Sequence, residues 1–207
     1  NYTGSSVTPA GNSNRFGGSN WGVSTPLSTT SYIQFTVAPN AGYLFTPTSF
    51  SFIWDFSGSG PSAVTLRSSA DNYTADLATL TGMTTSTSVF KTLTVTGLSD
   101  LSTTTFRLYG YGATAIGGTG GFDCAASQNN VKFNGYTTLA PPPVITTTGS
   151  LSALTTVYGS ASSETSFSVS GTYMQAGVLV TPPAGYEVSL TSGSGFASTV
   201  TVAASGT

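Results

Sequence analysis

The chain has 207 residues, a formal net charge of −2, no histidine and a single cysteine, Cys124. Only 6% of its residues are charged, against about 25% in an average soluble protein. Without histidine no Ser-His-Asp or Cys-His site can be built, and five scattered cations, Arg15, Arg67, Lys91, Arg107 and Lys132, form no basic stripe for nucleic acid or a polybasic membrane contact.

The missing charge is replaced by Ser, Thr, Gly and Asn. Thr, Val, Phe and Tyr favour strands, while Gly, Pro, Ser and Asn favour turns. Residues 1–20 are polar and glycine-rich and read as an arm or a long loop. Residues 31–37 (SYIQFTV) alternate as a strand, and 39–42 (PNAG) make a turn. Two further runs follow, 43–45 and 50–56 (FSFIWDF). In the second, Phe50, Phe52, Trp54 and Phe56 share one face, with Ser51, Ile53 and Asp55 on the other. Past the turn at 57–61, residues 63–68 (AVTLRS) put Val64 and Leu66 together. In 90–96 (FKTLTVT), Leu93 and Val95 share a face that Phe90 does not. Residues 105–111 (TFRLYGY) set Phe106, Leu108 and Gly110 against Arg107, Tyr109 and Tyr111, and 130–133 close the first domain. Strands this frequent, with turns between them, predict an all-β sandwich or jelly roll. No apolar run is long enough to span a bilayer.

Pro141, Pro142 and Pro143 mark a boundary, because consecutive prolines favour a stiff extended connector. Domain one is placed at 1–139, the linker at 140–143 and domain two at 144–207. Domain two carries strand-like runs at 167–171, 178–180, 186–190 and 199–202, with immunoglobulin-like patterning. It is short for a seven-stranded sandwich, which takes about 100 residues. It therefore reads as incomplete, either because the native chain continues past Thr207 or because another element completes it. Asn1 is not a start methionine, so the chain also reads as processed or excised.

Several blocks occur in an order that resembles a known module. They are Gly60-Pro61 with 63–71 (AVTLRSSAD), then 106–112 (FRLYGYG), Gly117-Gly118 and 130–135 (NVKFNG). Over about residues 20–138 they resemble the jelly-roll module of bacterial secreted and surface proteins of the PEP-CTERM type. In the second domain Ser170-Gly171, 178–189 (VLVTPPAGYEVS) and 194–196 (SGF) resemble a bacterial immunoglobulin-like repeat. The resemblance implies a secreted or cell-surface setting, neither module being an enzyme by itself.

Candidate sites are few. Asp55, Asp71, Asp76 and Asp123 could supply carboxylates, but no spacing pairs two across a cleft as glycoside hydrolysis needs. Calcium is the cofactor the loops best suit, since Asp, Asn and backbone carbonyls are its ligands. Asp71 with Asn72, and Asp123 with Asn129 and Asn130, are the candidate groups. Trp21, Tyr109 and Tyr111 are candidates for a sugar-stacking surface, and Trp54 reads as core. Arg67 and Arg107 lie within apolar strands, and each is expected to have a partner. For Arg67 this is Asp71 or Asp55, as a structural ion pair rather than an anion site. Cys124 is expected to behave as a small buried hydrophobe.

The expected function is therefore non-enzymatic: a structural protein of a bacterial surface layer, sheath or fibre. Its subunits would assemble into a filament by β-strand addition at sheet edges, so self-association or neighbouring surface proteins are the expected partners. The alternatives are a carbohydrate-binding or adhesion module with glycan partners, or accessory domains of a larger secreted enzyme.

Overall fold

The protein is all-β, and the computed structural model describes residues 1–10, 14–23, 26–84, 90–123, 130–174 and 176–202. Cys124 and Asn129 lie outside the described residues. Among the described residues no helix is long and apolar enough to cross a membrane. The chain divides into two units, Asn1–Leu139 and Ala140–Thr207.

The first unit holds strands β1 (Thr8–Ala10), β2 (Arg15–Ser19), β3 (Tyr32–Val37), β4 (Tyr43–Phe56) and β5 (Ala63–Ser68). A 3₁₀ turn, Ser69–Asp71, leads to β6 (Ala78–Leu80), β7 (Phe90–Thr94), β8 (Thr104–Tyr111), β9 (Gly120–Asp123) and β10 (Val131–Leu139). Two antiparallel sheets result. One has four strands in the order β3-β8-β5-β6; the other has six, β1-β2-β9-β4-β10 with β7 also on β4.

The sheets share one core because their inward faces are apolar at every second position. Phe50, Phe52, Trp54 and Phe122 come from the six-stranded sheet; Ile33, Val64, Leu66, Phe106 and Leu108 come from the four-stranded one. Phe35 stacks on Phe50 at 5.0 Å and on Phe106 at 5.8 Å, which ties the two layers together. Such ring pairs add about 0.5–1.5 kcal/mol beyond the area they bury.

The two runs at 43–45 and 50–56 are one strand, not two. Pro47 lies inside β4, where the register against β10 shifts between Asn134 and Gly135. Proline has no N–H to give the ladder, so a long strand keeps it at such an irregularity. Residues 1–20 are likewise not a free arm. Gly17 and Gly18 of β2 pair with Gly121 and Gly120 of β9. A Cβ on Gly121 would lie 2.3 Å from Gly17 Cα, so these backbones meet only because both residues are glycine. Residues 1–6 run along the outer edge of β3. Ser6 N donates to Thr30 O at 2.7 Å and Gln34 N to Asn1 O at 2.9 Å. The Tyr32 hydroxyl donates to Thr3 O at 3.0 Å. An edge that would otherwise offer open hydrogen-bonding groups is thereby covered.

The second unit holds β11 (Val144–Thr148), β12 (Ser168–Thr172), β13 (Val178–Val180) and β14 (Val200–Val202). They form two separate two-stranded antiparallel sheets, β11-β12 and β13-β14. The run at 186–190 makes no named strand; it contributes only the bridge Val188–Ala197. Glu164 links two loops by accepting hydrogen bonds from the Ser192 hydroxyl and, at 2.9 Å, from Gly193 N.

Candidate functional site

The outer face of the four-stranded sheet carries a row of aromatic, cationic and hydroxyl side chains, and its register explains why. Tyr32, Tyr109 and Thr65 are cross-strand neighbours, as are Gln34, Arg107 and Arg67 one row on, then Thr36 and Thr105. All point away from the core that Ile33, Phe106, Leu108, Val64 and Leu66 fill.

Arg67 and Arg107 stand directly opposite each other, a placement that like charges disfavour. They are handled differently. Arg67 Nε donates to Asp76 Oδ1 at 2.6 Å, and its Nη1 to Tyr73 O at 3.2 Å. Its partner is thus Asp76, not Asp71 or Asp55. Asp55 is buried on the other sheet and pairs with Arg15. Arg107 has no carboxylate among the described residues. Its guanidinium carbon lies 4.2 Å from the Tyr32 ring centroid and 3.8 Å from that of Tyr73. Its Nε donates to Gln34 Oε1 at 3.3 Å. Cation–π contacts of this kind contribute about 0.5–2 kcal/mol each, more when desolvated.

Tyr73 reaches Arg107 from a braced loop. Asn72 and Tyr73 both have positive φ, 59° and 61°, and a bulky residue adopts that region only when its surroundings fix it. The fixing is visible. Asp71 Oδ2 accepts from Ala75 N at 2.7 Å and from the Thr74 hydroxyl at 3.1 Å. Desolvation pushes the Asp71 carboxyl upward, but the hydrogen bonds from Ala75 and Thr74 outweigh it and hold it below its ordinary value.

The sugar-stacking surface does not form as expected. Trp21 is wholly buried; its Nε1 donates to Gly18 O at 2.7 Å and its ring meets Trp54 edge-on. Tyr109 is 1% exposed, covered by Tyr32 edge-on and by Arg67. Neither ring face is open to a sugar. Tyr111 is half-buried at the end of the same row of outward residues. Trp54 is core.

The two candidate calcium groups lie on different sheets, and Asn129 of the second is outside the described residues. Asp71 and Asn72 follow β5 in the four-stranded sheet, whereas Asp123 ends β9 in the six-stranded one. Asp71 already serves its own turn. Asp123 stands across from Arg15, and Asn130 is buried with its backbone carbonyl accepting from Ile53 N at 3.1 Å. No cluster of three His, Cys, Asp or Glu exists among the described residues. A second, smaller feature is a glycine-floored depression, lined by Gly17, Gly18, Gly120, Gly121 and the Arg15–Asp55 pair.

No family model, curated protein or solved structure matches the chain. The outer-face group of Tyr32, Gln34, Tyr73 and Arg107 was not among the sequence candidates. Alternation places Arg107 outward, but the cross-strand register that brings Gln34 and Tyr32 to it is not written in either strand alone.

Proposed function

We propose that this chain is an extracellular structural protein of a bacterial surface layer, sheath or fibre, joining its subunits through β-sheet edges. The observation that carries the reading is the state of the second unit. None of its described residues is buried. Val144, Ile145, Leu179, Tyr186, Leu190 and Phe196 are all exposed. Isolated two-stranded ribbons are marginal in water, and three or more strands over an apolar face are needed for independent stability. Strands from a second copy would supply that face and pair with the open edges of β11 to β14. A head-to-tail contact of this kind propagates into a filament when its rotation does not close. The low charge and hydroxyl-rich surface suit an exterior protein that packs against its own kind.

Sedimentation velocity across a concentration series tests this. The full chain should form growing assemblies, and Leu179→Asp in β13 should return it to monomer without lowering the melting temperature of the first unit. A chain that stays a monodisperse monomer at high concentration, with the amides of β11 to β14 as protected as those of β4, would sink the reading.

A further inference from the structure

We infer that the outer face around Arg107 is a binding site for a carboxylate-bearing glycan. Three observations converge on it, none of which concerns assembly of the second unit. The first is charge. Arg67 is neutralised by Asp76, but the opposite Arg107 has no anionic partner among the described residues, so the pair keeps one uncompensated positive charge. An anion placed there relieves the cross-strand repulsion. The second is donor count. Ring contacts leave the N–H groups of a guanidinium unspent. Nε goes to Gln34, while Nη1 and Nη2 make no hydrogen bond to a described residue. They form the planar fork that matches a carboxylate. The third is rigidity. Tyr32 is held by Thr3, and Tyr73 sits on a loop braced by Asp71 and Arg67, so the fork is oriented before a ligand arrives.

The surroundings narrow the ligand. Thr36 and Thr105 lie one row on and share a hydroxyl–hydroxyl hydrogen bond of 2.9 Å, each keeping capacity for another. Hydroxyl and amide groups beside a cation that has no carboxylate partner among the described residues suit a sugar acid in a polyhydroxylated chain. Two arginines, one already paired, are too few for a nucleic-acid track. An extended peptide would need an open sheet edge, and this patch lies mid-sheet, with the edge of β3 covered by residues 1–6.

The test is a titration of the full chain with oligogalacturonate, its methyl ester and a sulfated oligosaccharide, followed by NMR at the Arg107 side-chain N–H and the Tyr73 ring. Oligogalacturonate should shift both signals, and the ester should shift neither. Arg107→Lys keeps the charge but loses the fork, and should weaken binding by about tenfold or more. Arg107→Gln should abolish it; if that variant fails to fold, the lysine variant still decides. Equal response to acid and ester, response to the sulfated sugar alone, or wild-type affinity in Arg107→Lys would each overturn the assignment.

Discussion

At the scale of single residues, close approach and local hydrogen bonding decide what the chain tolerates. Gly110 faces the core beneath Trp21, and a Cβ there would lie 2.6 Å from Trp21 Cε3. Gly110→Ala should therefore destabilise the first unit by about 1–3 kcal/mol through overpacking. Urea unfolding followed by tryptophan fluorescence reads this, since both tryptophans lie in that core. Asp71 gives a pH-dependent counterpart. Its folded carboxyl titrates below its ordinary value. Between the folded and unfolded values the unfolded chain binds more protons, so stability rises with pH there. The Asp71 contribution is full above the usual carboxylate range and is lost as pH falls through the depressed folded value. Asp71→Ala should thus lower the melting temperature at neutral pH, and the gap from wild type should close toward the acid end. A gap that is constant with pH would mean that the charge on Asp71 does not hold the loop.

At the scale of elements, β10 shows how far alternation reaches. Phe133 points inward and packs on Phe106 at 4.5 Å and Phe50 at 5.3 Å, whereas Tyr136, past the register shift, is 57% exposed. Phe133→Ala should cost about 2–4 kcal/mol, and Tyr136→Ala no more than about 0.5 kcal/mol, in the same unfolding assay. The strands with strict alternation, β3, β5, β8 and the second half of β4, were legible in the sequence. So was the core set Phe50, Phe52 and Trp54. In the second unit β11 escaped because it directly follows the prolines and reads as the border of the connector. In the first unit the strands that escaped, β1, β2, β6 and β9, are short or glycine-rich. Their pairing rests on backbone approach, which leaves no side-chain pattern to read. The site escaped for a related reason. Trp21 and Tyr109 carry the residue type of a sugar platform, but exposure depends on which neighbour covers a ring. Tyr32 and Arg67 arrive at Tyr109 only through the register of β3 and β5 against β8.

At the scale of the whole molecule, the two units differ in how they meet the cost of ordering a chain. Fixing a residue costs about 1–2 kcal/mol of backbone entropy alone, and burial of apolar surface must offset it. The first unit has a continuous core across two sheets. The second has none among its described residues, and holds its strands by two short ladders and local links such as Glu164 to Ser192 and Gly193. The Glu164 carboxyl is held below its ordinary value by the Ser192 hydroxyl and then the Gly193 N–H. That link is fully exposed and cannot replace a core. Hydrogen exchange should therefore separate the units. In dilute monomer, β4 amides should report global unfolding, while those of β11 to β14 should exchange through local opening at far lower cost. Raising the protein concentration should then protect the second unit selectively, because only the paired state buries its apolar residues. Protection that rises equally in both units would mean that association uses another surface, and protection of the second unit already at infinite dilution would mean that it needs no partner.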